Sequence, residues 1–141
     1  MGSPTPVELK PVGIAAWAAG NTGIPYVTTF TADRPGPHVV VTALTHGNEL
    51  CGAHALKFLF DHEIAPQRGQ LTLAFANVAA YRQFDAGQPT ASRYLDEDLN
   101  RVWSPAVLDG PRQSRELARA RELRPLIETA DFLLDIHSMQ S

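Results

Sequence analysis

Apolar positions recur along this chain with two periods, close to two in some stretches and close to 3.6 in others, and the order of those stretches predicts an α/β fold. Residues 24–32 (IPYVTTFTA) are rich in β-branched and aromatic side chains, which suits a strand. The turn formers Asp33, Arg34, Pro35, Gly36 and Pro37 follow, predicting a tight, hairpin-like connection. Residues 38–44 (HVVVTAL) form an unbroken apolar run, as expected of a central strand covered on both faces. After Thr45-His46-Gly47-Asn48-Glu49, the apolar residues Leu50, Ala53, Leu56, Leu59 and Phe60 fall at helical spacing until residues 61–69 break the pattern. Residues 71–76 (LTLAFA) repeat the strand signature, so 38–76 is expected to be a βαβ unit with a parallel, right-handed crossover.

Residues 81–111 carry Gly87, Pro89, Pro105, Gly110 and Pro111 with little periodicity and read as a long irregular segment, the kind of loop that often carries function. Residues 113–130 predict a helix, with Pro125 expected to kink or restart it. Residues 132–137 (FLLDIH) predict a final strand. With no repeat, low-complexity tract or linker, residues 1–141 read as one domain.

Composition narrows the function classes. A hydrophobic content of 44% over 141 residues supports a true core. The formal net charge of -3, without a dense Lys/Arg block, offers no face for tracking phosphates, so no nucleic-acid partner is expected. No apolar run approaches the ~18 residues that span a bilayer, so no membrane partner is expected either. The start MGSPTPVELK lacks the pattern of a secretory leader, and the lone Cys51 fits a reducing compartment; together these predict a cytoplasmic protein.

Three clusters carry candidate chemistry. His46 and Glu49 stand three apart at a strand-to-helix turn, a spacing that lets two side chains share one ion, with Gly47 freeing the backbone to turn. Asp135 and His137 alternate onto one side at the end of an apolar strand, where a polar pair needs a metal or a hydrogen-bond partner. Both clusters fall at the carboxyl ends of expected strands and together offer two His and one Glu, the ligand set of catalytic zinc sites with an open fourth position. The bland alternatives are a surface His–Glu pair at a helix start and a strand-end histidine satisfied by a carbonyl. Residues 92–101 (SRYLDEDLNR) concentrate guanidinium, amide and carboxylate groups; Arg and Asn suit a substrate carboxylate, while the alternative is a solvated charged loop. Cys51 is expected to pack on the helix rather than to ligate. His54 and His62, at steps of eight from His46, do not converge with it on a helix.

In their order and spacing, THGNE at 45–49, SRYLDEDLNRVW at 92–103 and DIHS at 135–138 resemble the three signature segments of the succinylglutamate desuccinylase/aspartoacylase family, which is related to the zinc carboxypeptidases. The resemblance implies a mixed, largely parallel sheet flanked by helices, zinc carboxypeptidase-like (phosphorylase/hydrolase-like) and incomplete at its C-terminus. It also implies one Zn2+ per chain held by His46, Glu49 and His137, with Asp98 orienting His46. Asn100 and Arg101 would bind a substrate carboxylate, and Arg93 would polarise the scissile carbonyl. The implied activity is zinc-dependent hydrolysis of the amide bond of an N-acyl amino acid or similar small carboxylate-bearing amide. A zinc carboxypeptidase acting on peptides, a non-catalytic metal-binding or assembly module, and a structural domain in which His46 and His137 never meet are the alternatives. The family's general base is a glutamate well beyond the third ligand, a context that none of Glu63, Glu97, Glu116, Glu122 and Glu128 occupies. The isolated chain is therefore expected to be inactive and to expose apolar sheet surface, which a missing C-terminal half or a second copy in a homo-oligomer would cover.

Overall fold

The computed structural model describes residues 7–139. Its four strands, β1 (Val27–Thr31), β2 (His38–Ala43), β3 (Gln70–Phe75) and β4 (Phe132–Asp135), form one mixed sheet in the order β1-β3-β2-β4. The helices α1 (Leu50–Asp61), α2 (Val78–Tyr81), α3 (Pro105–Leu108) and α4 (Arg115–Thr129) accompany them. The βαβ unit is present as expected, with β2 and β3 parallel and Val39, Val41 and Ala43 beside Leu71, Leu73 and Phe75. β4 extends the sheet on the other side of β2, also parallel to it.

The expected hairpin between β1 and β2 does not form, because β3 lies between them and pairs antiparallel with β1. The cause is in the connection itself. Pro35 and Pro37 have no N–H to give a hairpin turn, and the link bonds instead to the start of β3. Ala32 N donates to Gly69 O, Gly69 N to Arg34 O, and Gln70 N to Pro37 O, so the link wraps around the chain that enters as β3.

Side-chain alternation sorts the sheet into two faces. On one, Val41, Ala43, Leu73 and Phe75 pack with Leu50, Ala53 and Leu56 of α1, and Trp17 from the N-terminal segment stacks on Phe60 at 4.6 Å. Gly52 lets α1 press close, since a Cβ there would come within 2.8 Å of the Ala43 Cβ. On the other face, Val40 and Ala74 meet Leu117, Ala120, Leu123 and Leu126 of α4 and Leu99, Val102 and Leu108 of the preceding segment. That segment, expected to be irregular, is tied down by short helical turns at Pro89–Ser92, Leu99–Arg101 and α3.

α4 runs through Pro125 as a single element rather than restarting. Pro125 is exposed, where a missing helical hydrogen bond costs least. β4 is an edge strand with Phe132, Leu133 and Leu134 at 64%, 48% and 58% exposure, the bare apolar sheet surface expected from the sequence. No helix among the described residues is long and apolar enough to cross a membrane.

Candidate metal centre

β2 and β4 are adjacent and parallel, so the segments that leave their carboxyl ends emerge side by side. At the end of β2 the buried Leu44 takes a left-handed backbone conformation (φ 63°), a costly choice for a branched side chain that swings the chain out of the sheet. Thr45 to Glu49 then turn under the first turn of α1, and Gly47 passes against the segment ahead of Arg93. Its N–H donates to Arg93 O at 3.1 Å, and a Cβ at position 47 would sit 2.4 Å from Ser92 O.

Glu49, only 4% exposed, is the hub. Its Oε2 lies 2.6 Å from His46 Nδ1 and accepts from Arg93 Nη1 at 3.2 Å. Its Oε1 lies 2.9 Å from His137 Nδ1 and accepts from Ser138 N at 3.1 Å. The far nitrogens of both rings also face carboxylates: His46 Nε2 is 2.8 Å from Asp98 Oδ1, and His137 Nε2 is 2.7 Å from Asp135 Oδ2. Asp135 is held in turn by the hydroxyls of Thr42 and Thr45, which donate to its Oδ1 at 2.8 and 2.9 Å.

Each imidazole therefore stands between two carboxylates, and a neutral imidazole has one N–H, enough for only one of them. With Nε2–H donated outward to Asp98 or Asp135, the Nδ1 lone pair would point at Glu49, a repulsive contact unless a proton or a cation lies between. A divalent cation resolves it for both rings at once. One ligand atom each from His46, Glu49 and His137 fall within 4.8 Å of one another, so a single ion could be shared among them. The donor set fits zinc, and Asp98 and Asp135 stand beside the far ring nitrogens, where partners of metal-bound imidazoles would stand.

Charge follows the same geometry. For His137, burial works against protonation, but the hydrogen bond and charge of Asp135, and then those of Glu49, outweigh it and raise the pKa above the ordinary imidazole value. For Asp98, burial pushes upward, but the N–H of Asn100, the His46 contact and the Arg93 charge bring the carboxyl below its usual range.

Of the residues singled out from the sequence, His46, Glu49, His137, Asp98 and Arg93 converge. Asn100 and Arg101 are exposed on the turn that follows Asp98. Asn100 borders a pocket of about 370 Å³ with Trp103, Leu108, Leu133 and Asp135. Among the described residues the Arg101 guanidinium meets only the carbonyl of Asn100. His54 and His62 bond to the carbonyls of Lys10 and Phe58, away from the centre. Two residues of the site were not given a role from sequence. The D-x-H alternation pointed at Asp135 without showing its partner. No sequence signal singles out Glu116 on α4, whose buried carboxylate accepts from the N–H groups of Leu95, Asp96 and Glu97.

Comparison with known proteins covers the same stretch of chain. The model of the succinylglutamate desuccinylase/aspartoacylase catalytic domain matches residues 35–141. The chain belongs to this family. Relatives in it include an N-acyl-aromatic-L-amino acid amidohydrolase (carboxylate-forming) of Rattus norvegicus, 32% identical over 116 residues, covering 74% of this chain and 34% of the relative. A succinylglutamate desuccinylase of Paraburkholderia xenovorans (strain LB400) is 32% identical over 114 residues, covering 79% and 31%. The solved succinylglutamate desuccinylase of Chromobacterium violaceum superposes with a TM-score of 0.62 at 25% identity, covering 80% of this chain and 36% of that one. Murine aminoacylase 3 superposes with a TM-score of 0.53 at 32% identity, covering 75% and 36%. The chain thus spans about a third of the length of these family members. By name they are deacylating hydrolases acting on small acylated amino acids.

Proposed function

We propose that this chain is the metal-holding part of a zinc-dependent deacylase that cleaves the amide bond of an N-acyl amino acid or a similar small carboxylate-bearing amide. The observation that carries the reading is the pair of histidines, each flanked by two carboxylates and sharing Glu49. His46, Glu49 and His137 would hold one zinc ion. When bound, zinc supplies Lewis acidity toward the scissile carbonyl and toward water.

The chain's own groups do the rest. Asp98 and Asp135 accept from Nε2–H of the two rings and so keep both Nδ1 lone pairs turned inward. The Arg93 guanidinium, which lies beside Glu49, would stabilise negative charge growing on the carbonyl oxygen. The side chains of Asn100 and Arg101, exposed and without carboxylate partners among the described residues, would supply an amide and a planar fork for the substrate carboxylate.

No proton transfer is assigned to a glutamate of this chain. Glu116 is saturated by four donors, and Glu122 and Glu128 pair with arginines on α4. The bare edge of β4 supports the expectation that further polypeptide, in a longer chain or a second copy, completes the site. The free Cys51 supports a reducing, cytoplasmic setting. Elemental analysis of the purified chain tests the reading. About one zinc per chain, lost in both His46→Ala and His137→Ala, is expected from the three-ligand set. A folded wild type that holds no zinc refutes the ligand assignment.

A further inference from the structure

We propose that Glu116, in the first turn of α4, is a positioning residue for the metal centre: its buried carboxylate fixes the backbone of residues 95–97 and thereby the aim of Asp98 at His46. The inference rests on the zinc reading of His46 and extends it to a residue that touches neither ligand nor substrate position.

Glu116 is 1% exposed and accepts four hydrogen bonds. Oε1 takes the N–H groups of Asp96 at 2.8 Å and Glu97 at 3.1 Å; Oε2 takes that of Leu95 at 3.0 Å and the Asn77 side-chain amide at 2.9 Å. A buried carboxylate is tolerated only when its acceptor positions are filled, and here three successive backbone N–H groups fill them. Three consecutive donors converging on one anion leave the loop a single curvature.

Asp98 follows directly. Its Oδ1 accepts from Asn100 N and faces His46 Nε2, both at 2.8 Å, so a small rotation of the loop would break the two together. The grip is reciprocal, because Asp96 accepts from the backbone N–H and the guanidinium of Arg115. It is also anchored to the sheet. Asn77, which donates to Glu116, caps α2 and gives its own N–H to Leu44 O, just past the end of β2. The buried acid thus ties the Asp98 loop to the strand end from which His46 emerges. Both oxygens being saturated, it has no lone pair to spare for proton transfer.

The test compares Glu116→Gln with Leu117→Ala, which removes core packing from the same helical turn while leaving all four hydrogen bonds of the Glu116 carboxylate in place and so matches a loss of stability. Glu116→Gln would point amide N–H groups at loop N–H groups. In the metal-free chain, hydrogen exchange at Leu95, Asp96 and Glu97 is expected to accelerate, and the 15N signal of His46 Nε2 to move off its hydrogen-bonded position. Zinc affinity, read by competition with a chelator, is expected to fall about tenfold or more. Leu117→Ala leaves the His46 signal and the affinity in place. A folded Glu116→Gln with the wild-type His46 signal and zinc affinity overturns the proposal, as does an equal change in Leu117→Ala. Should Glu116→Gln not fold, Glu116→Asp, which keeps the charge and retracts it by one methylene, is read by the same measurements with the same outcomes. If the wild type binds no zinc, the metal reading fails, while the His46 signal in the metal-free chain still decides the role of Glu116.

Discussion

Replacing Asp98 with alanine removes two interactions made by one oxygen, since Oδ1 accepts from Asn100 N and faces His46 Nε2, each at 2.8 Å. The first caps the short turn Leu99–Arg101, and its loss is expected to cost about 1 kcal/mol of folding stability, as for other side-chain caps. The second, in the proposed zinc site, would hold the His46 ring and its tautomer. Losing such an outer partner typically weakens metal binding about 10- to 100-fold, equivalent to about 1.4–2.7 kcal/mol. The two effects separate in Asp98→Asn, whose amide oxygen still caps the turn but brings no charge to Nε2–H. Stability should then return to within a few tenths of a kcal/mol of wild type, while zinc affinity stays reduced. Chelator competition at neutral pH reads the affinity, and urea denaturation of the zinc-free chain reads the stability. Wild-type zinc affinity in a folded Asp98→Ala, within about twofold, would refute the argument that Asp98 orients a metal ligand.

Three further outcomes follow from the packing. Gly47→Ala would place a Cβ 2.4 Å from Ser92 O and 2.6 Å from the backbone of Ala80 and Tyr81, so it should lower stability by about 1–3 kcal/mol; an unchanged thermal midpoint would contradict the close approach. Leu56, fully buried under the sheet, should cost about 2–5 kcal/mol on truncation to alanine, and a loss below about 1 kcal/mol in urea would mean that α1 is not seated as described. For Glu116, burial pushes the pKa up, but the N–H groups of Leu95, Asp96 and Glu97 and the Asn77 amide pull it below the ordinary glutamate value. A carboxyl lower in the folded than in the unfolded chain stabilises fully above the unfolded value of about 4.3, and that contribution is lost as pH falls through the folded value. Stability measured from neutral pH downward should therefore fall below about pH 4.3 by more in wild type than in Glu116→Gln, and parallel curves would refute this.

The elements that could be read without the structure are those that local chemistry dictates. Three valines in 38–44, helical spacing from Leu50 and the strand at 71–76 made the βαβ unit legible, because each pattern tells how its own segment buries apolar surface. The connection at 33–37 did not reveal its topology. Its turn formers suit a hairpin, but the partners of its carbonyls lie more than thirty residues away, at Gly69 and Gln70. Pro125 was legible as a helix breaker only in the abstract, since its exposure decides whether α4 tolerates it. In the site, His46, Glu49 and His137 were readable from spacing and strand ends, and Asp98 and Arg93 from the resemblance of their segment to a family signature. The pairing of Asp135 with Thr42 and Thr45, and the burial of Glu116, were not. Both depend on which elements pack together, and Glu116 reads along the chain as one acid among many on a polar helix.

By itself the sequence determined the kind of fold, the strand ends that carry the candidate site and the inventory of groups able to ligate, since these follow from local patterning and side-chain type. Only the tertiary structure decided that β3 enters between β1 and β2, and that β4 lies beside β2 with His137 within reach of Glu49. It also decided that each histidine stands between two carboxylates, and that an acid on α4 holds the loop behind one of them. The physical reason is range. Helix and strand patterns are set by neighbours a few residues apart, whereas the site is assembled from contacts spanning 52 residues between His46 and Asp98 and 88 between Glu49 and His137, which only the packing of the sheet and its helices brings together.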